Sequence, residues 1–170
     1  AADGAWMLGR GSTPSTHILK PVSAEFEPRI RAESYLNALA RTLDLASHDT
    51  HLAPAGARSV LVVQRYDRKR DDSGKLIRVH QEDAAQALGL PWGGNDKYEN
   101  VNSRANLRAI AGLLDQGRSV FASAAQLPSD REKLLRLVVL NVVSGNTDAH
   151  AKNFSLILPE LGTGRRAAQF

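Results

Sequence analysis

Gly145-Asn146-Thr147-Asp148-Ala149-His150-Ala151-Lys152-Asn153-Phe154-Ser155 is the stretch whose reading decides the fold. It follows a run, Leu134 to Val143, that is apolar nearly all round and reads as a helix in the middle of a core. Gly145 breaks that helix and delivers the chain to a polar loop, and Phe154 to Leu158 then reads as a short strand. Inside the loop, Asp148 and Asn153 lie five positions apart. A carboxylate can accept or orient the proton of an attacking hydroxyl, and an amide oxygen shortly after it can hold a magnesium ion on phosphate groups. Both groups must point to one side, which an irregular loop permits and a helix does not. His150 and Lys152 alternate between them, and a cation there would offset phosphate charge. By itself, Asp-x-x-x-x-Asn recurs too often by chance to carry an assignment.

Working outward, Ser129-Asp130-Arg131-Glu132 has the form of a helix N-cap with an acidic first turn. Asn102 to Leu114 reads as another helix, with Leu107, Ile110, Ala111 and Leu114 on one face. Gln81 to Leu88 reads as a short helix ended by Gly89 and Pro91, and Trp92 to Asp96 as a loop. The N-terminal part has a different texture. Ser59 to Tyr66 has the apolar centre of a buried strand, Asp71 to Gly74 is a turn, and Lys75 to Val79 a return strand. Thr16 to Pro21 reads as a strand, and Trp6 to Leu8 as a shorter one followed by a turn. A helix is expected from Arg29 to Leu43, with Ile30, Ala32, Tyr35, Leu36, Leu39, Ala40 and Leu43 recurring at three- and four-residue steps. The order is strands with one helix, then mostly helices, a polar loop and a strand. That is an α+β chain with an internal boundary between Tyr66 and Asp72.

The totals exclude several classes. The 170 residues, 42% hydrophobic and 24% charged, are ordinary for one globular domain. Aromatics are only 5%, so the core must be built from aliphatic side chains. No apolar run approaches the ~20 residues of a membrane helix, and the N-terminus has no secretory pattern. The absence of cysteine removes disulfides and thiolate metal sites and fits a reducing compartment, so the expected location is the cytoplasm. The net charge of +4 suits a phosphate-rich ligand, but Lys and Arg are spread along the chain. The local clusters at Arg65 to Arg70 and Arg165-Arg166 read as solvated surface. A basic nucleic-acid-binding module rests on charge alone and ranks last. His17, His48, His51 and His80 show no ligand spacing, and Trp6 and Trp92 read as packing residues. Asp148 and His150 have no third ligand nearby, which argues against a metal-dependent hydrolase.

The words around the loop are more specific than its spacing. Gly145 to Ser155 closely resembles the catalytic loop of the HipA family of bacterial serine/threonine kinases. Thr13-Pro14-Ser15-Thr16-His17-Ile18-Leu19-Lys20-Pro21 resembles that family's segment bearing the nucleotide-binding lysine. Gln64-Arg65-Tyr66-Asp67-Arg68 resembles its interlobe hinge. His80 to Asp83, Gln86 to Leu90 and Lys97-Tyr98-Glu99 resemble the segment after the hinge. These matches run in the family's order from Trp6 to Leu158.

The resemblance implies a two-lobed, protein-kinase-like fold, incomplete here, with a partial N-lobe in residues 1–66, a partial helical C-lobe in 67–158 and a divergent tail in 159–170. It implies ATP and magnesium as cofactors, Asp148 as the catalytic carboxylate and Asn153 as a magnesium ligand. Lys20 would reach the nucleotide phosphates, with Glu33 as its candidate ion-pair partner. Gln64, Arg65 and Tyr66 would border the adenine through hinge backbone groups, while His150 and Lys152 would line the phosphate side. The implied activity is phosphorylation of protein serine or threonine by the toxin of a toxin–antitoxin pair. The implied partners are a small DNA-binding antitoxin and a protein substrate of the aminoacyl-tRNA synthetase kind, with no direct contact to nucleic acid and none to a membrane.

Two family features are not matched. The Gly/Ser phosphate loop would precede Trp6, and a second magnesium carboxylate would follow the Asn-Phe-Ser strand, yet no Asp follows Asp148. Glu160 falls too early to replace it. The chain also begins without Met. The expectation is therefore a fragment, inactive by itself and with part of the Leu134–Val143 helix uncovered. The alternative is a non-catalytic remnant that binds antitoxin or nucleotide, or an inactive product of a disrupted gene.

Overall fold

Val60, Leu61 and Val62 are almost fully buried at the centre of β3 (Arg58–Gln64), as a strand covered on both faces requires. In this computed structural model the described residues are 7–56, 58–115, 119–120 and 129–158. Trp6, Glu160, Arg165-Arg166 and the tail from 159 lie outside them. The chain divides into two units, one formed by residues up to Ala38 with His48–Val79, the other by Leu39–Ser47 with the residues from His80 on. One boundary between the units falls after Val79, beyond the Tyr66–Asp72 stretch read from sequence.

In the first unit β3 is the middle strand of an antiparallel sheet, between β1 (His17–Pro21) and β2 (Thr50–Ala55). The register pairs Lys20 with Leu61 and Leu52 with the same Leu61. β2 was not anticipated, because Pro54 interrupts its sequence. An edge strand tolerates proline, since one side of it carries no ladder. Met7 and Leu8 are exposed and form no strand, unlike the expectation.

Helix α1 (Glu27–Thr42) starts two residues earlier than the sequence pattern implies. Ile30 and Ala40 are buried, with Glu33 and Asn37 half-buried at the turns between them. Tyr35 and Ala32 face solvent, so the buried stripe is rotated from the purely apolar one and includes a glutamate. The helix ends with Asp44 in the left-handed region (φ 57°). The N–H of Leu45 reaches the carbonyl of Ala40 and that of Asp44 reaches Arg41, satisfying two terminal carbonyls. A two-stranded ribbon, β4 (Arg68–Arg70) with β5 (Leu76–Arg78), follows. The Asp71 carboxylate closes its turn by accepting from the N–H groups of Ser73 and Lys75.

The second unit contains a sheet of order β6 (Gln81–Asp83), β8 (Ser155–Ile157), β7 (Ser119–Val120), all antiparallel. The expected helix from Gln81 is therefore corrected: its first three residues are strand, and only Ala84–Ala87 (α2) is helical. Asp83 explains the switch, because its carboxylate accepts from the N–H of Gln86 while the Gln86 side chain accepts from the N–H of Asp83. The expected helix from Asn102 also splits. Asn102 caps a 3-10 turn and Asn106 caps α3 (Leu107–Leu114). Helix α4 (Asp130–Val143) begins at the Ser129 cap as read, with the Glu132 N–H donating to Ser129 Oγ.

The core of this unit joins Ala84, Ala85, Ile110, Leu113, Leu134, Phe154 and Leu156. α4 is not a central core helix. Leu134 is buried and Leu137, Val138 and Leu140 are packed, but Leu135, Val139, Val142 and Val143 are exposed along one face. No helix among the described residues is long and apolar enough to cross a membrane.

Candidate active site

The loop after α4 is set by a helix stop. Gly145 takes φ +65°, its N–H reaches the Val142 carbonyl at 3.1 Å, and the Asn146 N–H reaches Asn141 at 2.8 Å. This pair of reversed bonds is the Schellman ending, and only a residue comfortable at positive φ completes it without strain. Asn146 then bonds Asn141 Oδ1 through its side-chain amide and accepts from the N–H of Asp148. The chain is thereby turned so that Asp148 stands at the loop's outer edge, its side chain 73% exposed.

Asn153 folds back on the same turn, its side-chain N–H donating to the Asp148 backbone carbonyl. That bond uses the amide nitrogen, not the amide oxygen, of an exposed side chain. The loop is pinned on its far side as well: the Ala84 N–H donates to the Phe154 carbonyl, and β8 continues between β6 and β7. Asp148, His150, Lys152 and Asn153 are thus brought together within one unit, as the sequence reading required.

His150 enters differently from that reading. Its ring is buried, and Nε2 lies 3.5 Å from Asp148 Oδ1. Burial, then the positive charge of Lys97, lowers its pKa from the usual 6.5 despite the attraction of Asp148. The ring is thus harder to protonate than an ordinary histidine. Lys152 is half-buried in the 3-10 turn Ala151–Asn153.

Two further residues reach the loop from a segment fifty residues upstream. The Ala151 N–H donates to the Lys97 carbonyl at 3.1 Å, and the Tyr98 hydroxyl donates to Asp148 Oδ1 at 3.3 Å. The Tyr98 ring meets the His150 ring edge-on, with centroids 5.1 Å apart. Sequence reading assigned Lys97 and Tyr98 no role, and no spacing rule could have done so, since a fold-dependent contact leaves no periodic trace. Trp92, expected to pack, is 97% exposed on the loop before them.

The remaining candidates lie in the first unit. Lys20 Nζ contacts Glu33 Oε1 at 2.6 Å, joining β1 to α1. The rotated stripe of α1 is what carries Glu33 to that lysine. The N–H of Gln64 donates to the Asp49 carbonyl and that of Arg65 to the Thr16 carbonyl, so those two amides are engaged in the sheet. The Arg65 guanidinium is bound to Asp67, which also receives Arg68. Asp67 is buried. Burial alone would raise its pKa, but the hydrogen bonds and charges of the two arginines outweigh that and hold it low. Arg65 is therefore a structural latch, and the Gln64 side-chain oxygen accepts from the Asp49 N–H. The Tyr66 ring lies 6.0 Å from that of His48.

The sequence matches the family described as HipA-like C-terminal domain over residues 2–169. A Sinorhizobium fredii protein named a candidate kinase, Y4mE, is 38% identical over 160 residues, covering 94% of this chain and 36% of its own. The serine/threonine-protein kinase toxin HipA of Shewanella oneidensis is 27% identical over 159 residues, covering 91% of this chain and 36% of its own. The solved complex of Shewanella oneidensis HipA, HipB and operator DNA contains a chain of the same fold, with TM-score 0.66 and 23% identity, covering 95% of this chain and 37% of that one. The chain thus spans about a third of the length of these relatives.

Proposed function

Because the chain belongs to the HipA-like C-terminal domain family, we propose that it carries the phosphate-handling core of a kinase that moves the γ-phosphate of ATP to a protein serine or threonine hydroxyl. The observation that carries this reading is the loop in which the side-chain amide of Asn153 is tied to the backbone carbonyl of Asp148, whose exposed carboxylate stands on the same turn. Asp148 takes the proton of the acceptor hydroxyl as its oxygen attacks the γ-phosphorus, and ADP departs. Lys20, oriented by Glu33, and Lys152 contact the phosphates. The first unit corresponds to the sheet-rich lobe of a kinase-like fold and the second to part of the helical lobe.

Magnesium fits the donor set. It is commonly held by one or two protein oxygens together with substrate phosphates, not by a protein cage. The Asn153 amide oxygen is a hard donor of that kind, and the described residues contain no group of three or more His, Cys, Asp or Glu that would form a cage. When bound, the ion neutralises charge on the phosphates. The names of the relatives, a serine/threonine-protein kinase toxin and a toxin–antitoxin complex with operator DNA, support a toxin acting on proteins with an antitoxin as partner.

The test is transfer of radiolabelled γ-phosphate by the whole gene product that carries this chain, with magnesium. Asp148→Asn is expected to remove transfer while ATP binding persists. Label incorporated at the parental rate by the variant ends the assignment.

A further inference from the structure

Asp148 Oδ1 receives the Tyr98 hydroxyl at 3.3 Å and faces His150 Nε2 at 3.5 Å. Both contacts fall on the same oxygen. A carboxylate oxygen has two lone-pair sites, so this one is the anchored end and Oδ2 is the end left for an incoming hydroxyl.

Tyr98 is itself held from several directions. Its N–H donates to the Asn95 carbonyl, and its own carbonyl accepts from the N–H groups of Val101 and Asn102. The Asn102 side chain donates to Asp96, closing the turn on which Tyr98 stands. The Lys97 ammonium lies 5.0 Å from the centre of the Tyr98 ring, where a cation is attracted to the π face. The Lys97 carbonyl holds the N–H of Ala151 inside the catalytic loop. The edge of the Tyr98 ring rests on His150, the buried residue between Asp148 and Asn153. Asp148, by contrast, has little of its own to hold it, with most of its side chain in solvent.

We infer that Tyr98 is a positioning residue: its hydroxyl fixes the rotamer of Asp148 and presents Oδ2 to the acceptor hydroxyl. This rests on the phosphoryl-transfer reading for its consequence, but not for its geometry. An exposed aspartate samples several χ1 wells, and a reaction that depends on a near-attack geometry loses rate when its base spends time elsewhere. The fixing bond is to a carboxyl oxygen, and 3.3 Å is long for an O–H donor.

The experiment compares the protein with Tyr98→Phe, which keeps the ring and its contact with His150 and removes only the hydroxyl. Three-bond couplings on isotopically labelled protein report the Asp148 χ1 distribution. One dominant rotamer in the parent and averaging in Tyr98→Phe are expected; the same distribution in both overturns the inference. In the phosphate-transfer assay Tyr98→Phe is expected to lower kcat roughly ten- to a hundredfold, with KM for ATP unchanged. A rise in KM with kcat kept assigns Tyr98 a different role. A changed rotamer distribution in a protein whose transfer ignores Asp148→Asn leaves the positioning in place and overturns the kinase reading instead.

Discussion

Lys20 and Glu33 show what a single side chain can decide. The pair is half-exposed, so its own worth to stability is small, and its interest lies in where it holds the ammonium. Lys20→Ala is expected to weaken ATP binding by about 1.5–3 kcal/mol, the worth of a hydrogen bond to a charged group. Calorimetry showing equal affinity would return Lys20 to the surface. His150 makes a second prediction through its lowered pKa. As pH falls below the ordinary 6.5, the unfolded chain takes up this proton before the folded one, so stability rises with pH in that window. The contribution is fully present above 6.5 and is lost as pH falls toward the depressed folded value. The thermal midpoint is expected to drop between neutral pH and pH about 5, and less steeply in His150→Gln. Equal slopes would show that another group dominates. Asp148, Asn153 and Lys20 stand out as candidates in the sequence because their residue types suit phosphoryl transfer. The lowered pKa of His150 was not legible there, because it depends on burial and on a lysine brought in from another segment.

At the scale of elements, the helix endings do much of the positioning, and they follow residue types that sequence can show. Gly145 ends α4 and Asp44 ends α1 with the same hydrogen-bond pattern at φ 65° and 57°. A Cβ at Gly145 would meet no neighbour, so the cost of Gly145→Ala is conformational alone, about 1–2 kcal/mol. Asp44→Gly removes the corresponding strain and is expected to raise stability by several tenths to about 1 kcal/mol. Denaturant midpoints check both; a destabilised Asp44→Gly would show that the carboxylate contributes more than the backbone strain costs. The Ser129 cap, β3 and the turn at Asp71 were readable for similar reasons. The errors came where two local signals competed. Gln81–Asp83 has no helical apolar stripe and pairs with β8, a strand seventy residues away, so a tertiary ladder decided its conformation. Likewise β2 was hidden by a proline that only an edge position excuses.

At the scale of the whole chain, the mixed α/β architecture was legible because the two textures occupy different stretches of sequence. The apolar run of α4 by itself read as a core helix, while the expectation that part of it would be uncovered agrees with its exposed face. Leu135, Val139, Val142 and Val143 remain exposed. The candidate site residues divide between the units: Lys20 and Glu33 in one, Asp148, Lys152 and Asn153 in the other. The central claim is that the loop from Asp148 to Asn153 receives the metal and phosphates of ATP, and a paramagnetic ion reports this directly on the chain itself. Manganese, standing in for magnesium, is added to isotopically labelled protein with and without ATP while amide signals are followed. The account predicts ATP-dependent broadening centred on Asn153, including its side-chain amide, and extending to Asp148 and Lys152, with loss of this pattern in Asn153→Ala. ATP-dependent broadening centred elsewhere, with the signals of this loop unchanged, would contradict it.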